Sequence, residues 1–158
     1  MKNLALLLVV SLSFIATAQE TVKASIWQDN KFNRVNILTK IKLTGHQQSH
    51  GFMTASPMFE YAELKGSIYR RYAVDVGYTF NRLFEERLEF TPSINYGIQD
   101  RWKKSWLVFG ADFELSYALT DTLSLSLLAQ FVERKDLKWA YDDYLIRFSG
   151  FIGITIDI

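Results

Sequence analysis

The feature that most limits how this chain can fold is an alternation with a period of two. From Leu88 to Ile98, the residues Leu88, Phe90, Pro92, Ile94, Tyr96 and Ile98 are apolar, and Glu89, Thr91, Ser93, Asn95 and Gly97 between them are polar or small. Successive side chains of an extended chain point to opposite faces, so this segment reads as a β-strand with one oily face and one wet face. The pattern recurs. Tyr72, Val74, Val76, Tyr78 and Phe80 alternate with Arg71, Ala73, Asp75, Gly77 and Thr79. Leu107 to Tyr117, Leu123 to Phe131 and Tyr144 to Ile158 repeat it, and 36–44 and 52–63 show it more weakly. With a first strand near 21–29, the sequence predicts eight strands, at about 21–29, 36–44, 52–63, 69–80, 88–99, 105–117, 122–133 and 143–158.

A soluble sandwich also alternates, but three features point elsewhere. The segments exceed the usual length of about five or six residues and match the roughly nine to eleven tilted residues that cross a bilayer. Their apolar face is rich in rings, as expected of a chain that is 15% aromatic. The opposite face carries Lys40, Lys42, Glu60, Arg71, Asp75, Glu89, Asp112, Glu114, Arg147 and Asp157. That many charges are costly to bury in an ordinary core unless they pair or stay wet. A transmembrane barrel resolves the conflict by turning the oily face to lipid and the polar face inward, and closure satisfies every backbone amide. The expected fold is therefore all-β: an eight-stranded antiparallel up-and-down transmembrane barrel. At eight strands, side chains just fill the interior, so the ten charges are expected to form an ion-pair network.

The N-terminus fits export. Lys2 precedes an apolar run from Leu4 to Ile15, and Ala16-Thr17-Ala18 is a small-x-small cleavage signal. Residues 1–18 are expected to be a cleaved signal peptide and 19–158 the barrel. Loss of Lys2 from the 18 Lys+Arg leaves as many basic as acidic residues, since Asp+Glu number 17. A balanced chain does not suit nucleic acid, which calls for a basic face. Without cysteine there is neither a disulfide framework nor a thiolate metal site.

With both termini periplasmic, 30–35, 64–68, 100–104 and 134–142 become outer loops, and 45–51, 81–87 and 118–121 inner turns. Trp27, Trp102, Trp106 and Trp139 then fall at the outer strand ends, with Phe80, Phe84 and Tyr117 near the inner ends. Such rings suit the two interfaces of a bilayer.

The signal peptide, the alternating strands, the tight turn in SYALTDTLSLSL and the terminal FSGFIGITIDI together resemble the small eight-stranded outer-membrane barrels of Gram-negative bacteria, the OmpX-type and related porin-like family. The TAQE junction is similar to those of exported proteins of the Bacteroidota. The resemblance spans the whole mature chain. It implies an outer-membrane location, contact with membrane lipid and insertion by the barrel assembly machinery. Two features depart from the family. The chain ends in Asp157-Ile158 rather than in the aromatic residue that the machinery reads in many such barrels. Pro57 and Pro92 lie inside strands, where each removes a ladder hydrogen bond and suggests a bulge.

Candidate chemistry is sparse. His46, Ser49 and His50 share the glycine-bounded segment GHQQSHG. Spacing of four suits a metal only on a helix, and a lipid A deacylase resemblance would need His-x-Ser on a strand at the outer side. No metal, cofactor or catalytic residue is expected. Asp112 and Glu114 are neighbours on the inner face, with Arg71 and Arg147 as possible partners. The outer-loop residues Arg101, Lys103, Lys104, Arg134, Lys135 and Lys138 can grip lipopolysaccharide phosphates through charge-assisted bonds. The expected role is structural or interactive, through lipopolysaccharide or another membrane protein. Two alternatives stay open: a lipid A-modifying enzyme, and a soluble lipocalin-like carrier with the alternation inverted, its aromatic face inside.

Overall fold

The computed structural model describes residues 22–29, 35–46, 48–64, 66–83, 87–142 and 145–158. The expected signal peptide and Phe84 lie outside the described residues.

The eight strands are β1 (Val22–Asp29), β2 (Asn36–Thr44), β3 (Gly51–Leu64), β4 (Ser67–Leu83), β5 (Leu88–Arg101), β6 (Lys104–Ala118), β7 (Leu123–Glu133) and β8 (Ile146–Asp157). Each pairs antiparallel with its neighbour in sequence, and β8 closes on β1, with Lys23 opposite Asp157 and Asp29 opposite Phe151. The fold is a closed eight-stranded barrel. The start of β1 and the end of β8 lie at one end. The opposite end carries the β7–β8 connection, which contains a short helix, α1 (Lys135–Tyr141). That helix falls in the segment expected to be an outer loop.

Two of the expected outer loops are tight turns. Arg101 pairs with Lys104, and Trp102 and Lys103 between them both have left-handed φ, 50° and 60°. This is the geometry of a type I′ hairpin, whose twist matches that of its strands. Leu64 pairs with Ser67, with Gly66 at φ 73°.

The prolines do not displace the register. Pro57 lies opposite Val74 in an unbroken β3–β4 ladder, and Pro92 lies opposite Phe113 in an unbroken β5–β6 ladder. On the other side, each leaves a gap. The β2–β3 pairs skip from Lys40–Met58 to Leu43–Ala55, and the β4–β5 pairs from Gly77–Ser93 to Phe80–Phe90. A proline that lacks an N–H toward one neighbour interrupts that ladder alone. The register shift itself lies further on, between Phe80 and Leu83.

The two faces part as the alternation requires. Outward, Ile94 is 72% exposed and Phe148 62%, and Phe109, Met53, Ile41 and Leu107 are exposed with them. Rings run side by side around this face from Phe80 through Phe90, Phe113 and Phe131 to Phe148, at centroid spacings of 5.1 to 6.5 Å. Inward, Lys40, Arg71, Asp112 and Glu114 are each no more than 2% exposed. An apolar outside and a charged inside invert the arrangement of a soluble barrel with an apolar ligand cavity. The lipocalin-like alternative is therefore set aside.

Candidate functional site

The interior is a column of polar contacts, built where inward positions of neighbouring strands meet. At the terminal end, Lys23 on β1 lies 3.0 Å from Glu89 and 3.6 Å from Asp157. Above it, Lys42 lies 2.6 Å from Glu114, whose Oε1 also accepts a bond from the Ser116 hydroxyl at 3.0 Å. Hydroxyls continue the contact around the wall, from Ser116 to Ser126, Thr155 and Ser25 at 2.8 to 2.9 Å. In the middle, the Lys40 ammonium lies 2.8 Å from Asp75 and 2.7 Å from Asp112. Toward the α1 end, Arg71 bonds Asn95 and approaches Glu60 at 3.5 Å, and the Tyr69 hydroxyl donates to Glu60 at 3.3 Å.

Nine of the ten expected interior charges are buried or half-buried in this column, and the tenth, Arg147, is half-buried on β8. The partners differ from those expected. Asp112 and Glu114 are held by Lys40 and Lys42, not by Arg71 and Arg147, because β2 and β6 face each other across the barrel and bring a lysine stem to each carboxylate. Both carboxylates lie deep inside, 0% and 2% exposed, so neither reaches the outer surface.

Glycine makes room for the largest inward side chains. Gly153 stands opposite Trp27 across the β1–β8 seam, and a Cβ there would lie 2.6 Å from Trp27 Cδ1 and 2.1 Å from the Ile26 carbonyl oxygen. A Cβ at Gly110 would lie 3.0 Å from an Arg71 guanidinium nitrogen.

The aromatic expectation needs correction. Trp27 does not belong to a girdle; it points inward, 1% exposed, with the Lys40 ammonium 5.9 Å from its ring centre. Its place in the β1 alternation, in step with Lys23 and Ser25, assigns it inward. The other three tryptophans form one cluster rather than a ring. Trp139 on α1 lies 6.1 Å from both Trp102 and Trp106, because the helix folds down beside the β5–β6 turn. Near the terminal end, Phe80 and Tyr117 are exposed on the outward face.

The six outer-loop basic residues that were candidates for lipopolysaccharide contact divide into two groups. Lys103, Lys104 and Lys138 are exposed, and Lys135 is half-exposed. The Lys104 ammonium lies 3.5 Å from the centre of the Trp139 ring, Lys135 contacts Glu133 at 3.3 Å, and Lys138 bonds Asp142 on the helix surface. Arg101 and Arg134 instead turn into the mouth of the barrel, 2% and 8% exposed. Both bond Asp136, Arg101 at 2.8 Å and Arg134 through two nitrogens at 2.8 and 2.7 Å, and Gln99 donates to the same carboxylate. Burial alone would raise the Asp136 pKa, but bonds and charge from Arg134, then Arg101, hold it below the usual carboxylate range.

Lys23, Tyr69 and Asp136 were not singled out by the sequence. Lys23 was legible in principle from the β1 alternation. Asp136 was not, because its position depends on α1.

His46, Ser49 and His50 are exposed in and beside the β2–β3 turn, at the end opposite α1. No cluster of metal-ligating side chains occurs among the described residues.

No protein-family model and no curated protein matches the sequence. Solved structures match its shape. The outer membrane protein Ail of Yersinia pestis, determined in a phospholipid bilayer nanodisc, matches with a TM-score of 0.53 at 11% identity, over 87% of this chain and 99% of that one. The Neisserial surface protein A matches with a TM-score of 0.51 at 8% identity, over 87% of this chain and 95% of that one. The chain thus has the fold of the small outer-membrane β-barrels.

Proposed function

We propose that this protein resides in the outer membrane as a small integral barrel with a non-catalytic role, and that its α1 end contacts the phosphates of lipopolysaccharide. The observation that carries the reading is the exposed pair Lys103 and Lys104, on the turn beside Trp102, Trp106 and Trp139 at the margin of the apolar belt. Tryptophan favours the headgroup level of a bilayer, and ammonium groups beside it meet phosphate there. Lys135 and Lys138 on α1 extend the same patch. The interior ion pairs hold the barrel as a filled cylinder. On this reading the α1 end faces outward and the termini face the periplasm.

The experiment is binding of lipopolysaccharide to the purified barrel in detergent, with and without Lys103→Gln/Lys104→Gln. The intact protein should bind, less tightly as salt rises, and the variant should lose several-fold in affinity. Equal binding by both would sink the proposal. An outer-membrane fraction that releases the protein on carbonate washing would sink the assignment to the membrane.

A further inference from the structure

The ion-pair column has two parts that meet in the middle of the barrel. On the terminal side, Lys40 gathers Asp75 and Asp112, and Lys42 gathers Glu114. On the α1 side, Arg71 bonds Asn95 and approaches Glu60, which accepts the Tyr69 hydroxyl. Where the parts meet, several buried polar atoms make no hydrogen bond to any described residue. They are Gln130 Oε1 and Nε2, Asp112 Oδ1, Glu114 Oε2, Asn95 Nδ2 and Ser56 Oγ. All five residues are no more than 3% exposed.

Their places in the wall adjoin. Gln130 on β7 stands directly opposite Asp112 on β6, with Glu114 two residues along the same strand. Asn95 on β5 lies two residues from Ser93, the partner of Asp112. Asp75 on β4 stands between Asn95 and Ser56, which brings in β3. Strands β3 to β7 thus line one polar layer. Gln130 is its decisive member. Both ends of its amide are unbonded, although its cross-strand neighbour is a carboxylate with a free oxygen. A buried amide left this way carries the full desolvation cost of a donor and an acceptor. Folded proteins bond nearly all such groups to protein or to ordered water.

The atoms also select the chemistry of what binds them. Gln130 Nε2 and Asn95 Nδ2 only donate, whereas Asp112 Oδ1, Glu114 Oε2 and Gln130 Oε1 only accept. A cation would serve the oxygens alone and would lie beside the Lys40 ammonium. An anion would meet Asp75, Asp112 and Glu114. A neutral molecule that both donates and accepts serves the whole set, and complete burial favours the smallest such molecule, water.

We propose that this layer is a built hydration site, in which a cluster of water molecules held by Gln130, Asp112, Glu114, Asn95 and Ser56 bridges the two parts of the column. A buried water makes about three hydrogen bonds, so each can join residues of different strands. The site lies away from α1 and from Lys103 and Lys104, and it holds or fails independently of the lipopolysaccharide reading.

The test uses the full barrel in detergent micelles, labelled with nitrogen-15. The side-chain amide signal of Gln130 should show rotating-frame cross-relaxation with water. The hydroxyl opposite Gln130 on β8 belongs to Ser149 and could relay such a signal. Ser149→Ala should therefore keep the cross-peak. No cross-peak in the intact protein overturns the proposal. So does its loss in a Ser149→Ala variant that still migrates faster unboiled and is therefore folded. Should Ser149→Ala not fold, oxygen-17 relaxation of the solvent counts long-lived waters directly. Gln130→Met, which keeps the volume and removes the amide, should hold fewer than the intact protein, and equal counts overturn the proposal.

Discussion

Lys40 on β2 and Asp112 on β6 meet 2.7 Å apart across the centre of the barrel, with both side chains no more than 1% exposed. Asp75 on β4 shares the same ammonium at 2.8 Å. Three strands that are not neighbours are thus joined through one nitrogen. Removing one member of a buried ion group strands the others without solvent, which is worse than never having placed them there.

Lys40→Met should therefore destabilise the barrel by about 3–5 kcal/mol, the usual penalty for breaking a buried pair. Adding Asp75→Asn and Asp112→Asn should restore part of the loss, because no unpaired charge remains. Urea unfolding in lipid vesicles checks both. A triple variant no more stable than Lys40→Met would show that the charges are not the cause.

The β1–β8 seam depends on Gly153. A side chain there collides with the Ile26 carbonyl and the Trp27 ring. Gly153→Val should cost roughly 1–3 kcal/mol or more through overpacking, and should lower the temperature at which the fast-migrating band on unboiled gels is lost. Gly153→Val with Trp27→Ala should remain weak, since the backbone collision persists.

On the outward face, Ile94 is 72% exposed at the middle of β5. On a water-exposed surface Ile94→Arg would be within about ±0.5 kcal/mol of neutral. In a bilayer it should cost about 2–4 kcal/mol. Folding the variant into vesicles and comparing urea midpoints separates the two environments.

The docking of α1 should respond to acid. The Asp136 pKa is lower in the folded protein than an ordinary carboxylate, so its contribution is complete above the usual value of about 4 and fades as pH falls through the depressed folded value. Facing it are Arg101 and Gln99 from β5, Arg134 before α1 and, beneath, Tyr69 with Glu60. Below about pH 4 the fluorescence of the Trp102–Trp106–Trp139 cluster should change while the barrel persists. Asp136→Asn should abolish that transition, and a transition that survives the substitution would place its origin elsewhere.

The sequence by itself determined the wall. A period of two repeated over segments such as Leu88–Ile98 sets which residues point out and which point in, because alternate side chains of a strand cannot share a face. Even Trp27 obeys that rule, although its residue type suggested the opposite. The tertiary structure decided the partners. Whether Asp112 meets Lys40 or Arg147 depends on the angular separation of strands around a closed barrel, which no local pattern encodes. The fate of Arg101 and Arg134 was decided in the same way. They read as solvent-exposed loop cations until α1 folds over the mouth and brings Asp136 between them. A seven-residue helix is too short to form on its own propensity, so its existence follows from the contacts that it makes.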